Sequence, residues 1–280
     1  MTQRVVAVGQ RLLWAERMGS PDLPTALLLA GAAMQAITWE PCFVEPILHS
    51  GRSVIRFDWR DIGLSSWVRF QDLPYSIDDL ASDCLAVLDA FDVEIADLVG
   101  FSMGGCVAQL VALSAPERVR SLTLLSPGFA SKIKADRGEL GHKLLALLAE
   151  PNPDDQEAQV RRQVEQWRLL CGGAFHFEPT EWEDRARSWL ERGQNLSCPH
   201  LRLGPEVFGV DRSEQLCRLA VRTQIFHGDD DPMFPLAHGL AIAQAVPQAT
   251  ISIYAGRGHD LHLDREVAES VIHGISSPST

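Results

Sequence analysis

Short apolar runs that alternate with longer helical patterns constrain this chain more than any other feature. Ala26 to Leu29, Ser53 to Phe57, Ile95 to Val99 and Leu122 to Leu125 each read as a short strand. Arg11 to Trp14 reads as an earlier one. Between them, Trp39 to Leu48, Ile77 to Phe91 and Gly105 to Ser114 carry helical periodicity, the last stopped by Pro116. Ile77 to Phe91 is clearly amphipathic, with Ile77, Leu80, Ala81, Cys84, Leu85, Val87 and Leu88 on its apolar side. Strands joined through helices need crossover connections, which make neighbouring strands parallel. The pattern predicts an α/β fold with a mostly parallel central sheet and helices on both faces.

The pattern breaks after Leu125. From about Phe129 to Arg212 there are polar helical segments bearing Trp167, Trp182 and Trp189, and no convincing strand. It resumes with a strand at Val221 to Phe226, a helix around Ala237 to Ala245, a strand at Thr250 to Tyr254 and a final helix from near Asp264 to about His273. The expected organisation is an α/β core of residues 1–128 and 213–280, interrupted by an inserted helical cap of residues 129–212. A chain of 280 residues suits one such domain.

Charge narrows the partners. The formal net charge is -12, so the chain gains nothing from approaching a phosphate backbone, and nucleic acid is not expected as a partner. The apolar run Ala26 to Met34 is far too short to span a bilayer, and the first residues lack the pattern of a secretion signal. The six cysteines form no CxxC pair and read as reduced, mostly buried thiols in a cytoplasmic protein. The histidines lack HExxH or H-x-H spacing, and three consecutive aspartates are too few to cage a cation, so neither a metal nor another cofactor is expected.

Chemistry concentrates at Gly100-Phe101-Ser102-Met103-Gly104. This G-x-S-x-G lies between an apolar strand and an apolar helix. A sharp strand-to-helix turn there lifts the serine Oγ above the sheet, and the glycines avoid clashes. A serine hydroxyl is a weak nucleophile and needs a base. His259 follows the last strand in Gly256-Arg257-Gly258-His259, a loop able to carry an imidazole back over the sheet edge, with His262 in reserve. His49, His142, His200 and His273 read as exposed or locally bonded, and His227 as packing or capping its loop. The base needs an acid, and one of Asp229, Asp230 and Asp231 supplies it. The oxyanion needs two backbone N–H donors. Met103, after the serine, provides one, and the small loop Gly31-Ala32-Ala33 the other, with Ala32 as the choice.

The segments GFSMGG, FDWRDIGLS, GDDDP and GRGH together resemble the α/β-hydrolase superfamily over the whole core. Asp58, Arg60, Gly63 and Ser65 match its D-x-R-x-x-G-x-S segment, a structural turn beside the sheet in which Asp61 stands where the family often has glycine. Within the superfamily the chain is similar to aclacinomycin methylesterase-like esterases, both in that turn with its Asp61 and in the segment Trp167 to Arg187, WRLLCGGAFHFEPTEWEDRAR. The resemblance implies the α/β-hydrolase fold, with Ser102 as nucleophile, His259 as base, Asp231 as acid, and the Ala32 and Met103 amides as oxyanion hole. Asp231 is the residue before proline in the family's G-x-x-D-P frame, and such a residue is held out of the α region. The chain departs from the family at Ala30-Gly31, where many members carry His-Gly.

The expected function is carboxylic ester hydrolysis through an acyl-enzyme, on a methyl or other ester of a bulky, polyketide-like or otherwise apolar small molecule. Lactonase, thioesterase, C–C hydrolase and cofactor-free haloperoxidase chemistry use the same Ser-Asp-His arrangement, and a non-catalytic small-molecule binder is a further alternative. Trp167, Phe175, Trp182 and Trp189 are the expected pocket residues of the cap.

Overall fold

The computed structural model describes residues 1–128, 135–196, 198–201 and 213–276. Its strands are β1 (Thr2–Val8), β2 (Arg11–Met18), β3 (Thr25–Leu29), β4 (Ser53–Phe57), β5 (Ala96–Phe101), β6 (Val119–Leu125), β7 (Thr223–Gly228) and β8 (Thr250–Tyr254). They form one 8-stranded sheet in the order β1-β2-β4-β3-β5-β6-β7-β8. From β4 to β8 in that order every pairing is parallel, while β1–β2 and β2–β4 are antiparallel. This is the α/β architecture that the alternation predicts.

Two features differ from the sequence reading. β1 is unforeseen, because its side chains are mostly exposed on this edge strand and leave no apolar alternation to detect. β2 runs on to Met18, well past Trp14, because Glu16 and Arg17 are buried and compensated. Glu16 accepts from Arg56 Nε at 2.7 Å, and Arg17 donates to the Phe91 carbonyl at 2.8 Å. Charged residues hid a strand whose partner lies elsewhere in the chain.

The core helices are α1 (Pro41–His49), α2 (Ile77–Ala90) and α3 (Met103–Ser114). α2 starts at a reciprocal cap, where Ser76 Oγ accepts from the Asp79 amide and Asp79 Oδ2 accepts from the Ser76 amide. Its buried face carries Ile77, Leu80, Ala81, Cys84, Val87 and Leu88 as the periodicity requires, with Leu85 only half-buried. Between β6 and β7 the chain forms α4 (Gly138–Ala149), α5 (Gln156–Leu170) and α6 (Pro179–Glu191), with no strand among the described residues. These helices gather a second apolar cluster around Leu144, Trp167, Leu169, Leu170, Trp182 and Trp189. The short α7 (Ser213–Leu216), then α8 (Ala237–Ala245) and α9 (Arg265–Ser276), complete the chain. No helix among the described residues is long and apolar enough to cross a membrane.

The turn after β4 is a buried polar hub. Asp58 accepts from the Ala36 amide at 2.7 Å, the Leu64 amide at 2.9 Å and Arg192 at 2.8 Å. Ser65 Oγ donates to the Asp58 carbonyl and accepts from the Trp14 amide. Arg60 makes a two-pronged bond to Asp83. Asp61 has a φ of 63°, in the left-handed region, which is why glycine suits this position and why aspartate is tolerated. Its carboxylate meets Arg11 at 2.7 Å and the Val68 amide at 2.7 Å.

The Arg11–Asp61 pair is almost fully buried, with side chains 1% and 2% exposed. Removing one partner of such a pair strands a charge in the interior. Asp61→Ala should therefore cost about 3–5 kcal/mol in urea unfolding. The exposed Arg69–Asp72 pair makes the control, and Arg69→Ala should cost less than about 1 kcal/mol. Equal effects of the two substitutions would contradict this account of the turn.

Candidate active site

Ser102 sits at the junction of β5 and α3 with φ 54° and ψ -118°. A non-glycine residue holds such a conformation only when its surroundings impose it, at a cost of about 1–3 kcal/mol. Here the Ser102 amide donates to the Leu125 carbonyl at 3.0 Å, and the Gly105 amide returns to the Ser102 carbonyl at 2.9 Å. The neighbouring glycines are sterically required. A Cβ on Gly100 would strike the Gly104 carbonyl, and one on Gly104 would strike the Leu29 carbonyl. The helix starts at Met103, two residues before the sequence pattern places it.

His259 follows β8 in a loop pressed against the α5 C-terminus. Its amide donates to the Leu170 carbonyl at 2.7 Å, and a Cβ on Gly258 would strike that same carbonyl. The ring packs on Phe101 and Phe234, with centroids 4.8 Å and 5.6 Å away. Its Nδ1 lies 2.7 Å from Asp231 Oδ2. The other oxygen, Oδ1, accepts from the Met233 and Phe234 amides at 2.8 Å each. Burial by itself would raise the Asp231 pKa. The His259 charge and hydrogen bond, helped by His227 and the Phe234 amide, outweigh it and hold the carboxyl below its ordinary value. An ionised Asp231 can only accept, so the ring donates to it from Nδ1, and the neutral ring in this tautomer has its lone pair on Nε2.

The other two aspartates serve the loop. Asp229 accepts from the Gly256 amide at 2.6 Å, and Asp230 from the Gly173 amide at 3.2 Å. His227 bonds the Phe234 carbonyl at 2.7 Å and so caps the Asp231 turn. The reserve histidine is elsewhere. His262 is fully buried, stacked on Phe101 at 4.0 Å and edge-on to Trp39, and burial drives its pKa well below the usual value. It is a neutral packing residue outside the cavity lining. His49, His142 and His273 are exposed as expected, but His200 is wholly buried against the Ala33 amide.

Ser102, Met103, His259 and Ala32 line one cavity of about 710 Å³. Among the described residues neither the Ala32 nor the Met103 amide has a protein acceptor. Met103 is also the first residue of α3, where the helix dipole favours negative charge. The arrangement can therefore deprotonate a hydroxyl, hold a cationic ring and receive an oxyanion.

Of the four aromatics expected in the pocket, Trp167 and Trp189 line it. Trp182 and Phe175 do not. Trp182 is 1% exposed, stacked on Trp167 at 4.8 Å and on Phe177 at 5.4 Å, and so forms a layer behind the wall. Phe175 lies under the Arg257 guanidinium instead. The sequence reading missed Gln163, Gln166 and Leu170, which join Trp167 as one stripe of α5 facing the cavity. Their spacing of three and four residues was the available signal. Met34, Leu145, Leu148, Met233 and Phe234 supply further apolar wall.

Residues 27–266 match the family described as alpha/beta hydrolase fold. The chain is 33% identical to rhodomycin D methylesterase DauP of Streptomyces sp. (strain C5), over 94% of each sequence. It is 32% identical to rhodomycin D methylesterase DnrP of Streptomyces peucetius, again over 94% of each. Among solved structures, the esterase RhEst1 from Rhodococcus sp. ECU1013 superposes with a TM-score of 0.78 at 22% identity, covering 100% of both chains, which speaks for the fold alone. A match that runs from within β3 into α9, joined to full-length identity of this degree, places the chain in the alpha/beta hydrolase family.

Proposed function

We propose that the protein hydrolyses a carboxylic ester through an acyl-enzyme, with Ser102 as nucleophile, His259 as base and Asp231 as acid. The observation that carries this reading is the 2.7 Å contact between His259 Nδ1 and Asp231 Oδ2, with His259 and Ser102 both lining a single cavity. Ser102 Oγ attacks the ester carbonyl carbon and passes its proton to His259 Nε2. Asp231 stabilises the imidazolium. The Ala32 and Met103 amides receive the oxyanion. His259 then protonates the leaving alkoxide, the C–O bond breaks, and the alcohol departs. Water adds to the acyl-enzyme by the same route and releases the acid and Ser102. No cofactor enters the scheme.

The substrate class we favour is a methyl ester of a bulky polyketide-like molecule. The methylesterase relatives support it, as does a cavity of ligand size with walls of Trp167, Trp189, Phe101, Met34 and Phe234. In this reading residues 129–212 act as a cap on the core of residues 1–128 and 213–280. Its α4, α5 and α6 form the outer wall, while residues 129–134, 197 and 202–212 lie outside the described residues. Six cysteines with no disulfide between them suit a reducing compartment, and we place the protein in the cytoplasm.

Ser102→Ala should lower kcat/KM on an aromatic methyl ester by about 10⁴-fold or more with the melting temperature preserved, since the members of such a site act as a unit. Near-normal turnover would end the proposal. Asp231→Asn should cost about 10⁴-fold in kcat, because an amide stabilises the wrong tautomer. Asp229→Asn and Asp230→Asn keep an acceptor for their amide partners and should stay within about threefold of wild type. A crippled Asp229 or Asp230 variant beside an active Asp231 variant would reassign the acid. Trp167→Ala should shift the preference between a large aromatic ester and a small acetate by about tenfold or more. Trp182→Ala, from the layer behind, should mainly cost stability, about 3–5 kcal/mol. Unchanged preference in the Trp167 variant would remove the α5 wall from specificity.

A further inference from the structure

The oxyanion loop is short of internal support. Among the described residues a single backbone bond, from the Met34 amide to the Gly31 carbonyl at 3.3 Å, closes the turn that contains Ala32 and Ala33. Ala33 sits at φ 57°, in the left-handed region that alanine does not choose unaided. Something outside the loop must hold it.

Two side chains from beyond α6 do so. His200 Nδ1 accepts from the Ala33 amide at 3.3 Å, and Gln194 Nε2 donates to the Ala33 carbonyl at 2.7 Å. Both polar groups of one strained residue are therefore gripped by a segment more than 160 positions away. Gln194 is itself fixed, since its Oε1 accepts from Gln35 Nε2 at 3.1 Å. Gln35 also donates to the Trp189 carbonyl and accepts from Arg192, which reaches Asp58. Asp58 closes the circuit on the Ala36 amide.

The state of His200 follows from its surroundings. The ring is wholly buried and edge-on to Tyr75. Burial, reinforced by Arg11, lowers its pKa to about 3, so the ring is neutral. A neutral ring that accepts at Nδ1 carries its proton on Nε2. That nitrogen has no partner among the described residues. Among the described residues the Ala33 amide is the ring's close hydrogen-bond partner, while the Arg60 carbonyl partly opposes the effect of burial on its pKa.

We propose that His200 and Gln194 are positioning residues for the oxyanion hole. By clamping Ala33 they fix the turn that aims the Ala32 amide at the reacting carbonyl. The segment after α6 then does more than wall the cavity, because it completes the catalytic geometry from across the site.

The inference rests on the reading of Ser102 as nucleophile, and the experiment separates the two. Fluorophosphonate labelling of wild-type protein, carried to its endpoint, counts competent serines. An unlabelled wild type would defeat the parent reading. With labelling established, His200→Phe and Gln194→Leu are compared with wild type per labelled site. His200→Phe keeps an aromatic ring at the site and removes the bond to the Ala33 amide. Each variant should lose on the order of tenfold in kcat with KM within about twofold, because an oxyanion donor acts mainly in the transition state. Affinity for a boronic acid that forms a tetrahedral adduct should fall in step with kcat/KM, and inhibition by the product acid should not change. His200→Asn, which offers an acceptor oxygen near the Nδ1 position, should recover part of the loss. Should His200→Phe fail to fold, Gln194→Leu supplies the same comparison. Wild-type kcat and boronate affinity in the folded, labelled variants would overturn the proposal, and so would a loss confined to KM.

Discussion

The whole site depends on a backbone conformation that costs energy. Ser102 is held at φ 54° between a strand and a helix, and nothing in its own chemistry favours that. The sheet enforces it. β5 lies between β3 and β6, buried along its length, and the Leu125 carbonyl at the end of β6 receives the Ser102 amide. The glycines on either side let α3 leave at once, with its first turn against the Leu29 and Ala30 carbonyls at the end of β3. The strain is thus supported by a large parallel core, and the same strand order brings the loop after β3, which we propose as the oxyanion hole, to the cavity that Ser102 lines.

The second constraint is electrostatic. Burying a carboxylate beside an imidazole is costly unless each polar atom finds a partner. Asp231 meets that condition, with His259 on one oxygen and two loop amides on the other. The proline after it belongs to the same turn, and His227 closes that turn through the Phe234 carbonyl. His262 makes the contrast. It is equally buried, yet among the described residues both ring nitrogens lack partners and aromatic rings surround it, which suits a neutral packing role.

Much of this was legible in the sequence because the relevant signals are local. The elbow glycines, the apolar strands on either side and the Asp231-Pro232 step each encode their own geometry. The matching strands and helices differ from their sequence patterns mainly at the ends. What was hidden depended on contacts far apart in the chain. β2 conceals its length because Glu16 and Arg17 are buried against Arg56 and the Phe91 carbonyl. Trp182 carries the same signal as Trp167, but stacking order puts one behind the other. His200 had no motif at all, and its importance arises only when the chain after α6 returns to the loop after β3.

The central claim is that catalysis runs through a covalent intermediate on Ser102. The direct measurement is mass spectrometry of the protein quenched in acid within milliseconds of mixing with an excess of an aromatic ester. The account predicts a transient adduct equal in mass to the acyl group less one hydrogen, located on the peptide that contains Ser102. It should decay as product acid is released. Steady hydrolysis with no adduct at any quench time, or with the adduct on another residue, would contradict it.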